Sequence, residues 1–154
     1  MAKKTSGPQT TAWNSFSQYI RAKRCLETTG YAFVGICVTC GRRFHISYLD
    51  CGHCIAGRGN GLLFNERRVD IQCRQCNRTW NGRLKKFRQI LAGRLYPDAG
   101  ETELTKITDR WIAESKKPVK TKDIDFKAIT KKYRELTKEL LGESYDEMLR
   151  GHSW

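Results

Sequence analysis

The sequence predicts an α+β fold: a small core of short strands clamped by two Cys-x-x-Cys pairs, flanked by an N-terminal helix and C-terminal helices. Three observations predict it. Cys37/Cys40 and Cys73/Cys76 are separated by 32 residues, an arrangement in which two tight turns deliver four thiolates to one tetrahedral zinc ion at about 2.3 Å. Phe44, Ile46 and Tyr48 alternate with His45 and Ser47, the period of a half-buried strand. Apolar residues recur at helical spacing before residue 30 and again after residue 80. A hairpin between the pairs with a helix after the second describes a treble-clef arrangement.

Taken in order, residues 1–10 are polar and read as disordered. A helix is expected over 11–30, with Trp13, Phe16 and Ile20 on one face, Thr11 or Asn14 as cap, and Gly30 at its end. Residues 31–36 lead into the first cysteine knuckle, where Gly41 supplies the positive φ. Residues 56–61 (Ala-Gly-Arg-Gly-Asn-Gly) form a flexible loop, and Leu62, Leu63 and Phe64 begin a second strand or anchor the return. A helix is expected from Cys73 or Cys76, with Trp80, Leu84, Phe87 and Leu91 on its apolar face and Gly93 or Pro97 at its end. The metal-bound core thus spans 31–96, followed by a helical tail over 97–142 and an extension over 143–154. In the tail, Leu104, Ile107 and Trp111 mark one helix, with Pro118 after it. Phe126, Ile129, Tyr133, Leu136 and Leu140 mark a longer one ended by Gly142.

Composition narrows the class. The chain has 154 residues, 39% hydrophobic and 29% charged, with no apolar run long enough for a transmembrane helix and no apolar h-region near the start. A cytosolic setting is expected, in which cysteines serve as metal ligands more often than as disulfides, and seven is an odd number for pairing. The net charge of +13 is unevenly placed: residues 1–54 carry +5, residues 55–95 carry +8, and residues 96–154 balance. The excess coincides with the cysteine-bearing part and reads as a polyanion-binding face, with nucleic acid as partner, against the plainer reading of a solvated basic surface. Cys51 and Cys54, with His53 between them, read as spare thiols beside the site or as a second metal cluster. Cys25 reads as a packing residue.

The motifs carry a resemblance. Cys-Val-Thr-Cys-Gly at 37–41, Asp50-Cys51-Gly52-His53, Leu63-Phe64-Asn65-Glu66-Arg67 and Gln72-Cys73-Arg74-Gln75-Cys76-Asn77 resemble, in order and spacing, the phage NinG (Rap) recombination nucleases. That family is similar to the wider HNH, or ββα-metal, endonucleases. The resemblance implies a metal-dependent endonuclease acting on branched DNA such as D-loops and four-way Holliday junctions. It implies that His53 is the general base, a role suited to an imidazole of ordinary pKa near 6.5. It also implies a catalytic Mg²⁺ or Mn²⁺ held by Asp50 and Asn77 beside the structural Zn²⁺ of Cys37, Cys40, Cys73 and Cys76.

Two positions depart from the HNH pattern. Gly52 stands where many members place a metal ligand next to the base, and Arg68 stands at the position of the usual central Asn. Asn65 is then a candidate for the orienting role and Asp70 for an extra carboxylate ligand. Arg58, Arg67, Arg68, Arg74, Arg78, Arg83, Lys85, Lys86 and Arg88 surround these motifs and are expected to contact phosphates. The tail is expected either to pack on the zinc core or to form a homodimer interface. A zinc-containing DNA-binding recombination accessory protein without catalysis, or an RNA-binding zinc protein, are the competing readings.

Overall fold

The computed structural model describes residues 7–56 and 59–150. Helix α1 (Pro8–Thr29) starts three residues ahead of Thr11, because Pro8 occupies the first helical turn after Gly7. Proline's fixed φ suits that position and its missing N–H costs nothing there. No side chain caps the helix, and residues 8–10, expected disordered, are helical. Residues 1–6 lie outside the described residues.

The core is mixed, as expected, with two two-stranded antiparallel sheets. Strands β1 (Val34–Ile36) and β2 (Arg43–His45) form a hairpin whose connection carries Cys37 and Cys40. Gly41 there has φ 72° and its N–H donates to Cys37 O at 2.9 Å, closing the knuckle. The alternation through Tyr48 is cut short. After His45 the chain makes a 3₁₀ turn over Ile46–Tyr48, capped by the His45 ring, which accepts from Ser47 N–H. Strands β3 (Leu49–His53) and β4 (Val69–Cys73) then pair, with Asp50 opposite Gln72, Gly52 opposite Asp70 and His53 opposite Val69. The segment Leu62–Phe64 is not a strand. It anchors the return instead, with Phe64 edge-on to Phe16 at 5.6 Å.

The second cysteine pair corrects the helix expected there. Cys73 ends β4, and Cys76 sits in one π turn over Gln75–Thr79. Asn81, Gly82 and Arg83 then all take positive φ, 48°, 75° and 46°. Two non-glycine residues in the left-handed region cost about 1–2 kcal/mol each, so this corner is held by its surroundings, including Gln72 Nε2, which donates to Gly82 O at 2.8 Å. Helix α2 begins only at Leu84 and runs to Leu95, through Gly93 and short of Pro97. Trp80 is consequently off the apolar face it was assigned and stands 38% exposed.

Helix α1 organises three of the four apolar clusters. Its Cys25 packs among Cys37, Ile46, Leu49 and Ile71. Its Phe16 and Ile20 meet Cys51, Val69 and Tyr133. Its Ala22 meets Leu141 and Met148. The fourth cluster joins Cys54 and Ile55 to Phe87 of α2 and to Ile107 and Trp111 of α3 (Glu101–Ser115). Tyr133 belongs to α4 (Phe126–Leu141), which carries the expected apolar face, ends at Gly142 and lies on α1. The tail thus packs within the chain. A short α5 (Ser144–Arg150) follows. No helix among the described residues is long and apolar enough to cross a membrane.

Candidate functional site

The four expected zinc ligands converge. The sulfurs of Cys37, Cys40, Cys73 and Cys76 all lie within 4.8 Å of one another, and Cys40 Sγ stands 3.9 Å from Cys73 Sγ. Ligands 2.3 Å from a tetrahedral zinc sit about 3.8 Å apart, so the cluster has the dimensions to hold such a metal. Burial resists ionisation of Cys37, but the Thr39 hydroxyl and the backbone N–H groups around it overcome that and bring the thiol down to about 6. Burial pushes Cys73 up to about 12. Four thiolates cannot share so small a volume without a cation, which is the donor chemistry of a metal cluster. Cys51 and Cys54 are not part of it: both are buried in separate apolar clusters.

The second group of residues lies along the outer edge of β3, which has no further strand beside it among the described residues. Alternate side chains leave the strand on opposite faces. Asp50 points toward the π turn. Its carboxylate accepts from Asn77 Nδ2 at 3.0 Å and takes a bidentate ion pair from Arg78, Nε and Nη2 both at 2.8 Å. That pairing raises the Arg78 pKa. Cys51 and His53 point toward α1, where the imidazole stacks on Trp13 at 4.9 Å. At the open edge both faces meet one cavity of about 850 Å³, lined by Asp50, His53, Asn77 and Trp13 together with Arg21, Arg74 and Arg78. Three guanidinium groups against one carboxylate give it a net positive lining.

Gly52 is a glycine for a spatial reason. A β-carbon there would collide with Gln72 Oε1 and come within 3.2 Å of Asn77 Oδ1. A ligand side chain next to His53 therefore has no room, and the carboxylate comes from Asp50 instead. His53 Nε2 lies 3.0 Å from Leu63 O. A carbonyl only accepts, so Nε2 carries the proton and the basic lone pair is on Nδ1. Nothing in the sequence pointed to Leu63 in this role, because it acts through its backbone. Trp13 was legible only as an apolar helix residue.

Other assignments change. Asp70 lines a different cavity, of about 950 Å³. It is 2% exposed, takes a bidentate pair from Arg24 at 2.9 and 2.8 Å, and is paired with Arg94. Both its oxygens are engaged by guanidinium groups, so in this structure it serves as a buried ion-pair anchor. Asn65 borders that same cavity, and its side chain caps the turn Glu66–Arg68 by accepting from Arg67 N–H at 3.0 Å. It does not line the cavity that holds His53.

Of the basic residues, Arg74 and Arg78 line the first cavity, and Arg83, Lys85 and Lys86 are exposed beyond it. Arg67 is exposed at the Asp70 side. Arg68 is not available to phosphate: its guanidinium stacks 3.7 Å over Trp111, and burial lowers its pKa. Arg88 is half-buried and donates to Cys54 O at 3.0 Å. Arg58 lies outside the described residues.

The family model described as Bacteriophage Lambda NinG protein matches residues 2–143, nearly the whole chain. No curated protein and no solved structure matches it.

Proposed function

From the premise that the chain belongs to the bacteriophage lambda NinG protein family, we propose that it is a metal-dependent, structure-selective DNA endonuclease acting on branched recombination intermediates. The observation that carries this reading is the state of His53. Its Nε2–H is committed to Leu63 O and its ring is held against Trp13, so Nδ1 is the basic atom in a cavity walled by arginines. In this role Nδ1 takes the proton from the water that attacks phosphorus, as a positioned base near its operating pH does. Arg21, Arg74 and Arg78 receive the phosphate and offset its charge.

Asp50 and Asn77 suit a hard divalent cation such as Mg²⁺ or Mn²⁺. Both line the cavity, where Asn77 turns its Nδ2 toward the Asp50 carboxylate, and the Arg78 guanidinium already stands on that carboxylate as a cation would. Such an ion, when bound, neutralises the scissile phosphate and the leaving oxygen. Arg78 is 62% exposed along its side chain and can leave Asp50 for a phosphate. The cysteine cluster holds structural Zn²⁺ and fixes the π turn that presents Asn77 and Arg78.

The test is cleavage of labelled four-way junctions, D-loops and linear duplex with Mg²⁺ or Mn²⁺. Nicking of branched DNA that disappears in His53→Ala, with binding kept, is expected. A second reading, a DNA-binding recombination accessory protein without catalysis, is favoured by the Asp50–Arg78 ion pair, which occupies the carboxylate. Tight binding with no cleavage by wild type under any divalent ion selects it.

A further inference from the structure

Two exposed aromatic side chains stand beside the cavity, and each bears an arginine on its ring. Tyr48 is 57% exposed, and the Arg74 guanidinium lies 5.5 Å over it while donating to Ser47 O at 2.7 Å. Trp80 is 38% exposed, and the Arg83 guanidinium lies 3.9 Å over it. Ser47 and Arg74 line the cavity beside Tyr48, and Asn81 lines it beside Trp80. Two flat cationic–aromatic surfaces therefore rim the pocket that holds Asp50, Arg78 and His53.

Trp80 is kept outside at a cost. Its spacing with Leu84, Phe87 and Leu91 would bury it on a continuous helix, yet the left-handed corner at Asn81, Gly82 and Arg83 breaks that helix just after it. Gln72 pins the corner through Gly82 O. A solubilising surface needs none of this, since lysines alone would serve.

We infer that Tyr48 and Trp80, with Arg74 and Arg83, are stacking platforms for unpaired nucleobases, and that they select branched DNA over continuous duplex. The chemistry is specific to this partner. A duplex keeps its base faces stacked inside and offers only phosphates to the arginines. A junction, flap or displaced strand offers splayed bases as well, which stack on aromatic rings and guanidinium planes irrespective of sequence. An anionic protein surface would answer the charge but not the flat aromatic faces.

This inference rests on the nucleic-acid part of the proposed function and is tested without cleavage. Equilibrium binding is measured with Ca²⁺ in place of the catalytic ion, for a forked DNA and for a blunt duplex of the same length, with 2-aminopurine at the first unpaired position of the fork. Trp80→Ala and Tyr48→Ala should each weaken fork binding roughly tenfold. Duplex binding should change less than about twofold, as expected when phosphate contacts remain. The fluorescence quench of 2-aminopurine should be lost with fork affinity and restored by Trp80→Phe. Circular dichroism on each variant separates a folding defect from a contact defect. Equal loss on fork and duplex, or an unchanged quench in a variant carrying both Trp80→Ala and Tyr48→Ala, overturns the platform. Absence of cleavage by wild type would sink the nuclease reading and leave this result standing.

Discussion

Replacing Asp70 by alanine is expected to destabilise the protein rather than switch off its chemistry. The carboxylate is 2% exposed and accepts from Arg24 Nε and Nη2, from Arg94, and from Ile71 N–H at 2.7 Å. Removing it leaves Nε and Nη2 of Arg24, whose side chain is only 21% exposed, without their partner, while Nη1 keeps Glu27. Breaking a buried pair from one side costs about 3–5 kcal/mol. Arg94 is 43% exposed and regains water, so it adds little. The expected loss is therefore near the lower end, about 3 kcal/mol, read as a lower urea midpoint at unchanged slope. For a chain of this size that is a fall in Tm of about 6–12 °C. Arg24→Leu combined with Asp70→Ala should recover part of it, because the stranded cation is gone. A loss below about 1 kcal/mol would refute the anchor. Intact stability with lost divalent-ion binding would return Asp70 to the role of a metal ligand.

Other outcomes follow from the same geometry. Cys73→Ser should lose bound zinc and the cooperative melting transition, and normal zinc content by elemental analysis would remove the cluster from the account. Burial holds Cys25 at about 12 and Cys54 at about 11, above the ordinary 9.0. Native thiols then keep protons that unfolded ones release, so stability should fall as pH rises past about 9. Neither thiol should alkylate at pH 8 before unfolding, and rapid labelling of either in mass spectra of native protein would contradict its burial. Arg68→Ala should lower Tm through the lost stack on Trp111 while duplex affinity holds, whereas Lys86→Ala should weaken binding and leave Tm alone; the reverse pattern would show Arg68 on the DNA. If about six phosphates are neutralised, the slope of log affinity against log salt on duplex should be near −5, and a slope near zero would dismiss the electrostatic model.

Much of this was legible because thiol spacing and helical periodicity are local signals. Two Cys-x-x-Cys pairs need only their own turns to face one point, and Phe126 to Leu140 need only the helix repeat. The failures came where backbone geometry overrode side-chain pattern. Trp80, Leu84, Phe87 and Leu91 keep helical spacing, but the positive-φ corner after Trp80 makes the match accidental for the first of them. Asp70 is a carboxylate between two motifs, and no spacing announces that Arg24 and Arg94 arrive from two separate helices. The Leu63 carbonyl that sets the His53 tautomer belongs to a group every residue has. Arg68 reads as a surface cation until Trp111, far along the chain, is seen beneath it.

The open edge of β3 has a consequence for handling the protein. An unpaired strand edge is a template for a strand from another copy, and natural proteins guard such edges with charge. Here Arg21 reaches Leu49 O at that edge, and Arg74 and Arg78 stand beside it. The arginines expected to draw in DNA are therefore also placed to guard that edge. A variant stripped of them to abolish binding would risk precipitating, and its silence in a binding assay would count only after light scattering had shown a dispersed monomer.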